Sequence, residues 1–537
     1  MTVQFKKALL VVLDGFGVAS ASHGNAVTRA KMNAFNSLVN HFPSITLQAA
    51  GPNVGLPWGE PGNSEVGHMC LGAGRIVLED LSRIDRSISS GEFYRNAAFK
   101  KALDHVEKNG STLHLLGLLS DGRVHSSQLH LYSLLILAAA RNLKKVVIHV
   151  IADGRDTEPN MAASFISALE KKIVELGVGK IVSLCGRFYA MDRAQHWDLT
   201  EAAFRCIAYG AGETVGGALQ AIANYYEQSI FDETFPPTSI VASNEKPVQI
   251  GAGDAVIFFN FRSDRAIQLT RALVDPASAP FSQKYSNIPD LLVVTMSEYS
   301  RQLSVEVAFP KPALVNSLSE TLSARGKRQY HVAESEKYPH VTYFFDNGRE
   351  EPLSGEEWDQ VSSSSSYQER YQNVPQMSAG ELTQRMLKKL SEPYDFYLVN
   401  YANPDMVGHT GSLSASIVAA ETVDSCLETL VKFALQSGDL AVFVTADHGN
   451  LESVTDVHTG RIHKAHSTNP VPLILAGAGL KLRRPRESGY QYLATQIPEG
   501  LLSDVAPTIL EIMGLSKAPE MTGISLMPNL LKQVIDN

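Results

Sequence analysis

Short apolar runs of β type alternate along the chain with stretches of helical periodicity. The runs Ala8–Leu13, Leu113–Leu118, Lys145–Ile151, Ile181–Leu184, Ala255–Asn260, Phe396–Asn400 and Leu440–Thr445 are read as strands, and strands separated by helical segments predict α/β architecture. Several runs stop abruptly in polar groups: Leu13-Asp14, Ile151-Ala152-Asp153, Asn260-Phe261-Arg262 and Thr445-Ala446-Asp447. Open parallel sheets bind ligands at their strand carboxyl ends, so the chemistry is expected at these junctions.

A chain of 537 residues exceeds one ordinary core; at about 100 to 200 residues per domain, two large domains are expected. The stretches near Val77–Asp80 and Phe309–Pro312 are candidate linkers. Ser362–Ser366 reads as a solvated loop, and 480–497, rich in Lys481, Arg483, Arg484 and Arg486, as an exposed excursion before the last helix. The apolar run after Lys6 and Lys7 ends at Asp14, and Leu134–Ala140 is far shorter than the roughly 20 residues that cross a bilayer. A formal charge of -9 argues against nucleic acid or anionic lipid as partners. Cys70, Cys185, Cys206 and Cys426 form no Cys-x-x-Cys pair, which points to a reducing cytosol rather than to a disulfide framework or zinc ribbon.

Four pieces carry metal-site chemistry. Asn403-Pro404-Asp405-Met406-Val407-Gly408-His409 places a carboxylate and an imidazole one helical turn apart. Thr445-Ala446-Asp447-His448-Gly449-Asn450 delivers an adjacent Asp-His pair from a strand end, Lys464-Ala465-His466 adds an imidazole, and Asp14 precedes Gly15-Phe16-Gly17. Each residue alone is as well explained by a cap, a turn or a satisfied core histidine. Together, carboxylates and imidazoles without thiolate suit manganese, zinc, magnesium or iron. Gly62-Asn63-Ser64-Glu65-Val66-Gly67-His68-Met69 reads as a tight turn feeding a helix, with Ser64 at its start. Ser64 is then either an N-cap or a nucleophile beside a helix end that favours phosphate. No lipase-like elbow accompanies it, so activation by a metal is the more natural chemistry.

These stretches resemble the metallophosphatase half of the cofactor-independent phosphoglycerate mutases of the alkaline phosphatase superfamily. The middle of the chain resembles that family's substrate-binding domain in Ser120-Asp121-Gly122-Arg123-Val124-His125-Ser126, Asp153-Gly154-Arg155-Asp156, Gly186-Arg187 through Asp192-Arg193, and Asn260-Phe261-Arg262-Ser263-Asp264-Arg265. The resemblance implies two α/β domains. One is an alkaline-phosphatase-like metal domain of residues 1–78 and 313–537; the other is a substrate-binding phosphotransferase domain of residues 79–312 inserted into it. It further implies two divalent cations, manganese first, with magnesium, cobalt or zinc as alternatives. Asp405, His409 and His466 would hold one, and Asp14, Ser64, Asp447 and His448 the other. His125, Arg155, Asp156, Arg187, Arg193, Arg262 and Arg265 match substrate-contacting positions, and Lys337 a catalytic lysine. Arg123, Ser127, Gln195-His196 and Asp346-Asn347-Gly348-Arg349 depart from the common family pattern.

The implied reaction moves a phosphoryl group between the 3- and 2-hydroxyls of glycerate through phospho-Ser64, without 2,3-bisphosphoglycerate, in the cytoplasm and in a monomer. Its anionic substrate explains five arginines in an acidic chain, since guanidinium grips carboxylate and phosphate in bidentate fashion. Lys337 is expected to neutralise phosphoryl charge and Asp156 to move protons, with His125 as the competing group. Closure of the insert would exclude water and suppress hydrolysis, which makes the two linkers hinge candidates.

Overall fold

The computed structural model describes residues 4–281, 284–312, 314–363, 371–456 and 459–536. The chain divides into two compact units, Met1–Glu79 with Ala313–Asn537, and Asp80–Pro312. In chain order the strands are β1 (Lys7–Leu13), β2 (Ser44–Gln48), β3 (Leu113–Leu118), β4 (Val146–Ala152), β5 (Ile181–Gly186), β6 (Glu213–Val215), β7 (Thr238–Ile240) and β8 (Ala255–Phe258). They continue as β9 (Leu292–Ser297), β10 (Glu306–Phe309), β11 (Gln329–Glu334), β12 (Glu356–Val361), β13 (Phe396–Tyr401), β14 (Leu440–Thr445), β15 (Val471–Ala476) and β16 (Gly500–Leu501).

The first unit carries the sheet β12-β11-β13-β1-β14-β15-β2-β16. From β12 to β14 every pairing is parallel, and β15 runs antiparallel to both neighbours. The carboxyl ends of β11, β13, β1 and β14 therefore lie side by side, and the residues entering β15 arrive at the same edge. Ala8–Leu13 of β1 and all of β13 and β14 are buried, as expected of parallel strands covered on both faces. The second unit carries β10-β9-β8-β3-β4-β5-β7-β6, parallel from β10 to β5, with β7 antiparallel to β5. Here too the carboxyl ends of β8, β3, β4 and β5 form one edge. All four cysteines are buried and unpaired to one another. Among the described residues no helix is long and apolar enough to cross a membrane.

Two surface expectations meet different outcomes. Ser362–Ser366 extends into 364–370, outside the described residues. The 480–497 segment is not a simple excursion. Leu482, Tyr490 and Leu493 are buried, and the Arg486 guanidinium donates to Val39 O and to Gln533 Oε1. Tyr490 donates to Gly17 O at 2.8 Å. The positive charge of this stretch masked apolar anchors that flank its arginines on either side.

The helix Ser64–Ala73 owes its position to missing side chains. A Cβ on Gly72 would stand 1.9 Å from Phe345 O, a backbone atom with nowhere to move. Gly72→Ala is expected to destabilise the protein by about 2–3 kcal/mol through overpacking, read as a lower urea midpoint at unchanged slope.

Candidate active site

Ser64 is the first residue of its helix, and Asn63 is the cap: its side chain accepts from Val66 N at 3.0 Å. The alternative left open by the sequence, Ser64 as cap, is thereby resolved, because Asn63 does the capping and frees the Ser64 hydroxyl. Ser64 Oγ lies 3.2 Å from Asp14 Oδ1, 2.9 Å from His448 Nε2 and 2.7 Å from Lys337 Nζ. Asp14 follows β1, Asp447 and His448 follow β14, Lys337 follows β11, and Asp405 sits in the helix Asn403–Gly408 that follows β13. Four adjacent strand ends thus deliver the groups that converge on one hydroxyl.

Lys337 Nζ also donates to Asp14 Oδ1 at 2.6 Å and to Asp405 Oδ2 at 2.7 Å. Burial disfavours its charge, but Asp14, Asp405 and Asp447 outweigh that and hold its pKa well above the lysine range. Burial and then Asp447 push Asp14 upward. Burial would also raise Asp447, yet His448, His68 and Lys337 prevail and keep it well below the carboxylate range. Three buried carboxylates share one ammonium, an imbalance that a cation relieves.

The donor geometry fits divalent metal. His409 Nδ1 lies 2.7 Å from Lys464 O and His466 Nδ1 2.7 Å from Gly62 O, so both rings direct Nε2 inward. The two Nε2 atoms are 3.0 Å apart and each 3.2 Å from Asp405 Oδ1. Two neutral rings would oppose lone pairs there and two protonated rings positive charges; one shared proton relieves the conflict, and a shared cation does so while also meeting the Asp405 carboxylate. Ligand atoms of Asp405, His448 and His466 fall within 4.8 Å of one another, as do those of Asp14, Asp447 and His448. All the proposed ligands of the first unit, with Lys337, are therefore brought together.

Sequence reasoning missed the supports. Asn400, inside β13, donates to Asp14 Oδ2 at 2.7 Å and lies 3.0 Å from His68 Nε2. His68 Nδ1 is 2.8 Å from Ser64 O and 3.2 Å from Asp447 Oδ2. Asn450 donates to Asp405 Oδ1 at 2.9 Å, and Glu452 accepts from the Gly17 and Asn450 N–H groups. An asparagine inside a run as apolar as Tyr397-Leu398-Val399-Asn400-Tyr401 was the available signal.

In the second unit the matched residues gather at the ends of β3, β4, β5 and β8. Arg187 is buried and donates to Asp153 Oδ1 at 2.6 Å and Asp156 Oδ2 at 2.5 Å. Arg193 and Arg262 both engage Asp264, at 2.7 and 3.0 Å. Arg265 donates to Met191 O, and its pKa is lowered first by burial and then by Arg193, Arg187 and Arg155. Arg155 reaches outward to Glu233 at 3.3 Å and is the most loosely held of the set. His125 Nε2 stands 3.9 Å from Asp156 Oδ2 and Nδ1 3.8 Å from Asp264 Oδ1, the buried Nδ1 making no hydrogen bond. The departures have local reasons: Arg123 adopts φ 57° and pairs with Asp85, and Ser127 caps the helix Gln128–Ala140.

Burial, helped by Arg187, lowers the His125 pKa to about 4. The unfolded chain, with an ordinary value near 6.5, then binds more protons than the folded one between those two values. Stability contributed by neutral His125 is present above pH ~6.5 and lost as pH falls toward ~4. His125→Gln is expected to flatten the decline of denaturation midpoint across that window; an unchanged slope contradicts it.

A largely parallel sheet with a serine at a buried cluster of carboxylates and imidazoles able to hold metal defines the class, an α/β scaffold of the alkaline phosphatase type. Residues 84–301 match the family described as BPG-independent PGAM N-terminus, and 304–505 match type I phosphodiesterase / nucleotide pyrophosphatase. The chain is 44% identical over 523 residues to the 2,3-bisphosphoglycerate-independent phosphoglycerate mutase of Clostridium acetobutylicum, covering 97% of this chain and 99% of the relative. It is 44% identical over 522 residues to the enzyme of that name from Thiobacillus denitrificans, covering 97% and 98%. A solved Leishmania mexicana phosphoglycerate mutase at low cobalt concentration superposes with a TM-score of 0.60 at 30% identity, covering 98% of this chain and 99% of that one. The chain belongs to the 2,3-bisphosphoglycerate-independent phosphoglycerate mutases.

Proposed function

We propose that this chain interconverts 3-phosphoglycerate and 2-phosphoglycerate in glycolysis and gluconeogenesis through a phosphoserine on Ser64, independently of 2,3-bisphosphoglycerate. The observation that carries the reading is the Ser64 hydroxyl freed by the Asn63 cap and held by Asp14, His448 and Lys337. Residues 1–78 and 313–537 act as the metal-binding phosphatase-like domain, and 79–312 as the substrate-binding domain. Asp405, His409 and His466 hold one divalent ion and Asp14, Ser64, Asp447 and His448 the other. Manganese is the first choice among metals that take mixed oxygen and imidazole ligands, ahead of magnesium, cobalt and zinc. The enzyme works as a cytoplasmic monomer on a small-molecule substrate, without nucleic acid or membrane.

Ser64 Oγ attacks phosphorus in line, its bond to phosphorus forming as the bond to the glycerate oxygen breaks. When bound, the metals lower the pKa of the attacking hydroxyl and offset phosphoryl charge. Lys337 donates to Ser64 Oγ in the resting site and, as attack proceeds, to the equatorial phosphoryl oxygens. Arg187, Arg193, Arg262 and Arg265 bind the carboxylate and phosphate of the substrate, with Arg155 at the periphery. Asp156, aimed by Arg187, moves the proton to and from the glycerate hydroxyls, with His125, kept neutral by burial, as its competitor. Retained glycerate then presents its other hydroxyl to phospho-Ser64.

A coupled assay of 3-phosphoglycerate conversion tests the reading, using metal-stripped protein reconstituted with manganese, magnesium, cobalt or zinc and no 2,3-bisphosphoglycerate. Conversion restored by a divalent metal is expected. Release of inorganic phosphate alone, or an absolute need for the bisphosphate, contradicts it.

A further inference from the structure

The first unit contains a second group of carboxylates and imidazole that the reaction does not use. His331 lies mid-strand in β11, Glu356 opens β12, and Asp346 follows the π-helical turn His340–Phe344. One ligand atom from each falls within 4.8 Å of the others. Among the described residues, none of the three bonds to Asp14, Ser64, Asp405 or Asp447. The His331 ring is walled by Phe345 and Phe396, at centroid distances of 5.4 and 5.8 Å. The side chains of His331 and Glu356 are wholly buried, and Asp346 is 2% exposed.

Their bonding is incomplete in a particular way. In the π turn, Phe345 N–H donates to His340 O and Asp346 N–H to Thr342 O. The carbonyl between them, Val341 O, stands 2.9 Å from His331 Nδ1 and takes its proton. That fixes the tautomer and leaves His331 Nε2 as a buried lone pair without a protein partner. Glu356 Oε2 accepts from Leu353 N at 2.7 Å, whereas Glu356 Oε1, 3.3 Å from His331 Nδ1, and both oxygens of Asp346, beside Ser319 and Glu356, accept no hydrogen bond of full geometry. A basic group that acts on Asp346, Arg349, spends its guanidinium on Glu320 at 3.0 Å. Burial and then Glu356 accordingly push the Asp346 carboxyl well above the ordinary range. Orphaned acceptors at this depth are costly unless something positive joins them.

We propose that His331, Asp346 and Glu356 bind a divalent cation of the manganese–zinc class at a structural site distinct from the ligands around Ser64. Two carboxylates balance a divalent charge, and an imidazole among them favours these metals over calcium. The cation ties β11, the end of the π turn and β12 together. Lys337 rides on the segment between β11 and that turn, its N–H donating to Glu334 O at 2.9 Å, so the site positions the lysine without touching substrate.

The test counts metal on the full-length protein after chelation, reloading with Mn2+ or, separately, Zn2+, and desalting. Three equivalents are expected in the wild type with at least one of the metals, and one fewer in Asp346→Asn/Glu356→Gln. Asp405→Asn/Asp447→Asn is expected to keep the buried equivalent. Anomalous difference density in crystals of the loaded wild type should place a peak between His331, Asp346 and Glu356. Should the double variants fail to fold, the wild-type density alone decides. No peak at the cluster with either metal, while the Ser64 site is filled, overturns the proposal and leaves the carboxyls sharing a proton.

Discussion

Ser64→Ala is expected to lower mutase turnover on the order of 100,000-fold, the scale on which covalent catalysis fails when its nucleophile is removed. The expectation has a structural corollary that separates chemistry from folding. Were Ser64 the cap of its helix, alanine would cost about 1 kcal/mol of stability. Asn63 holds that position instead, accepting from Val66 N, so the denaturation midpoint of the variant should stay close to that of the wild type. Cation binding at Asp405, His409 and His466 should persist too, since Ser64 contacts the other ligand group. Rapid acid quench of the wild type with 32P-labelled 3-phosphoglycerate should trap label on the protein, and the alanine variant should trap none. A folded, metal-loaded variant within about tenfold of wild-type turnover would remove the covalent intermediate.

How much of this was legible in the chain follows from where the polar residues interrupt apolar runs. Leu13-Asp14 and Thr445-Ala446-Asp447 announce themselves because a buried parallel strand is continuously apolar until the ligand-binding edge is reached. Leu113–Leu118 and Leu440–Thr445 are matched to the residue by β3 and β14, and β13 extends one residue beyond the expected Phe396–Asn400. Three of the missed strands have sequences that disguise them, whereas β9, Leu-Val-Val-Thr-Met-Ser, was legible and not read. β15 carries Pro472 in its second position, a residue that argues against an interior strand. β12 lies at the sheet edge and reads Glu-Glu-Trp-Asp-Gln-Val, while β11 buries Gln329, His331 and Glu334. Gln329 donates to Ser319 O, His331 to Val341 O of the π turn, and Glu334 accepts from Ser378 N, information that no local pattern contains. The same holds for the site. Its proposed ligands stand in recognisable stretches, whereas Asn400, His68, Asn450 and Glu452 take their meaning only from partners as many as 435 positions away. Antiparallel β15 likewise brings His466 to the edge by a topology that its own neighbours do not encode.

Lys337→Met is expected to separate two roles that the site geometry superimposes. The ammonium touches Asp14, Ser64 and Asp405, and Asp14, Asp405 and Asp447 together hold it protonated. As a cation among proposed metal ligands, it opposes metal binding by Coulomb repulsion and by occupying carboxylate lone pairs. Its removal should therefore leave manganese affinity unchanged or tightened. The same removal withdraws charge from the phosphoryl oxygens when they need it most, and loss of one such preorganised donor costs about 100- to 1,000-fold in kcat. The predicted signature is a fall of that size at saturating metal, with a metal dissociation constant no weaker than the wild type's. Methionine keeps the length and apolar stem, so packing is preserved while the charge goes. If activity returned to the wild-type level simply on raising manganese, Lys337 would be a support for the metal ligands rather than a participant in phosphoryl transfer. Recovery of part of the lost rate in Lys337→Arg, with no change in metal affinity, would point the other way, because guanidinium restores the positive charge in a different shape.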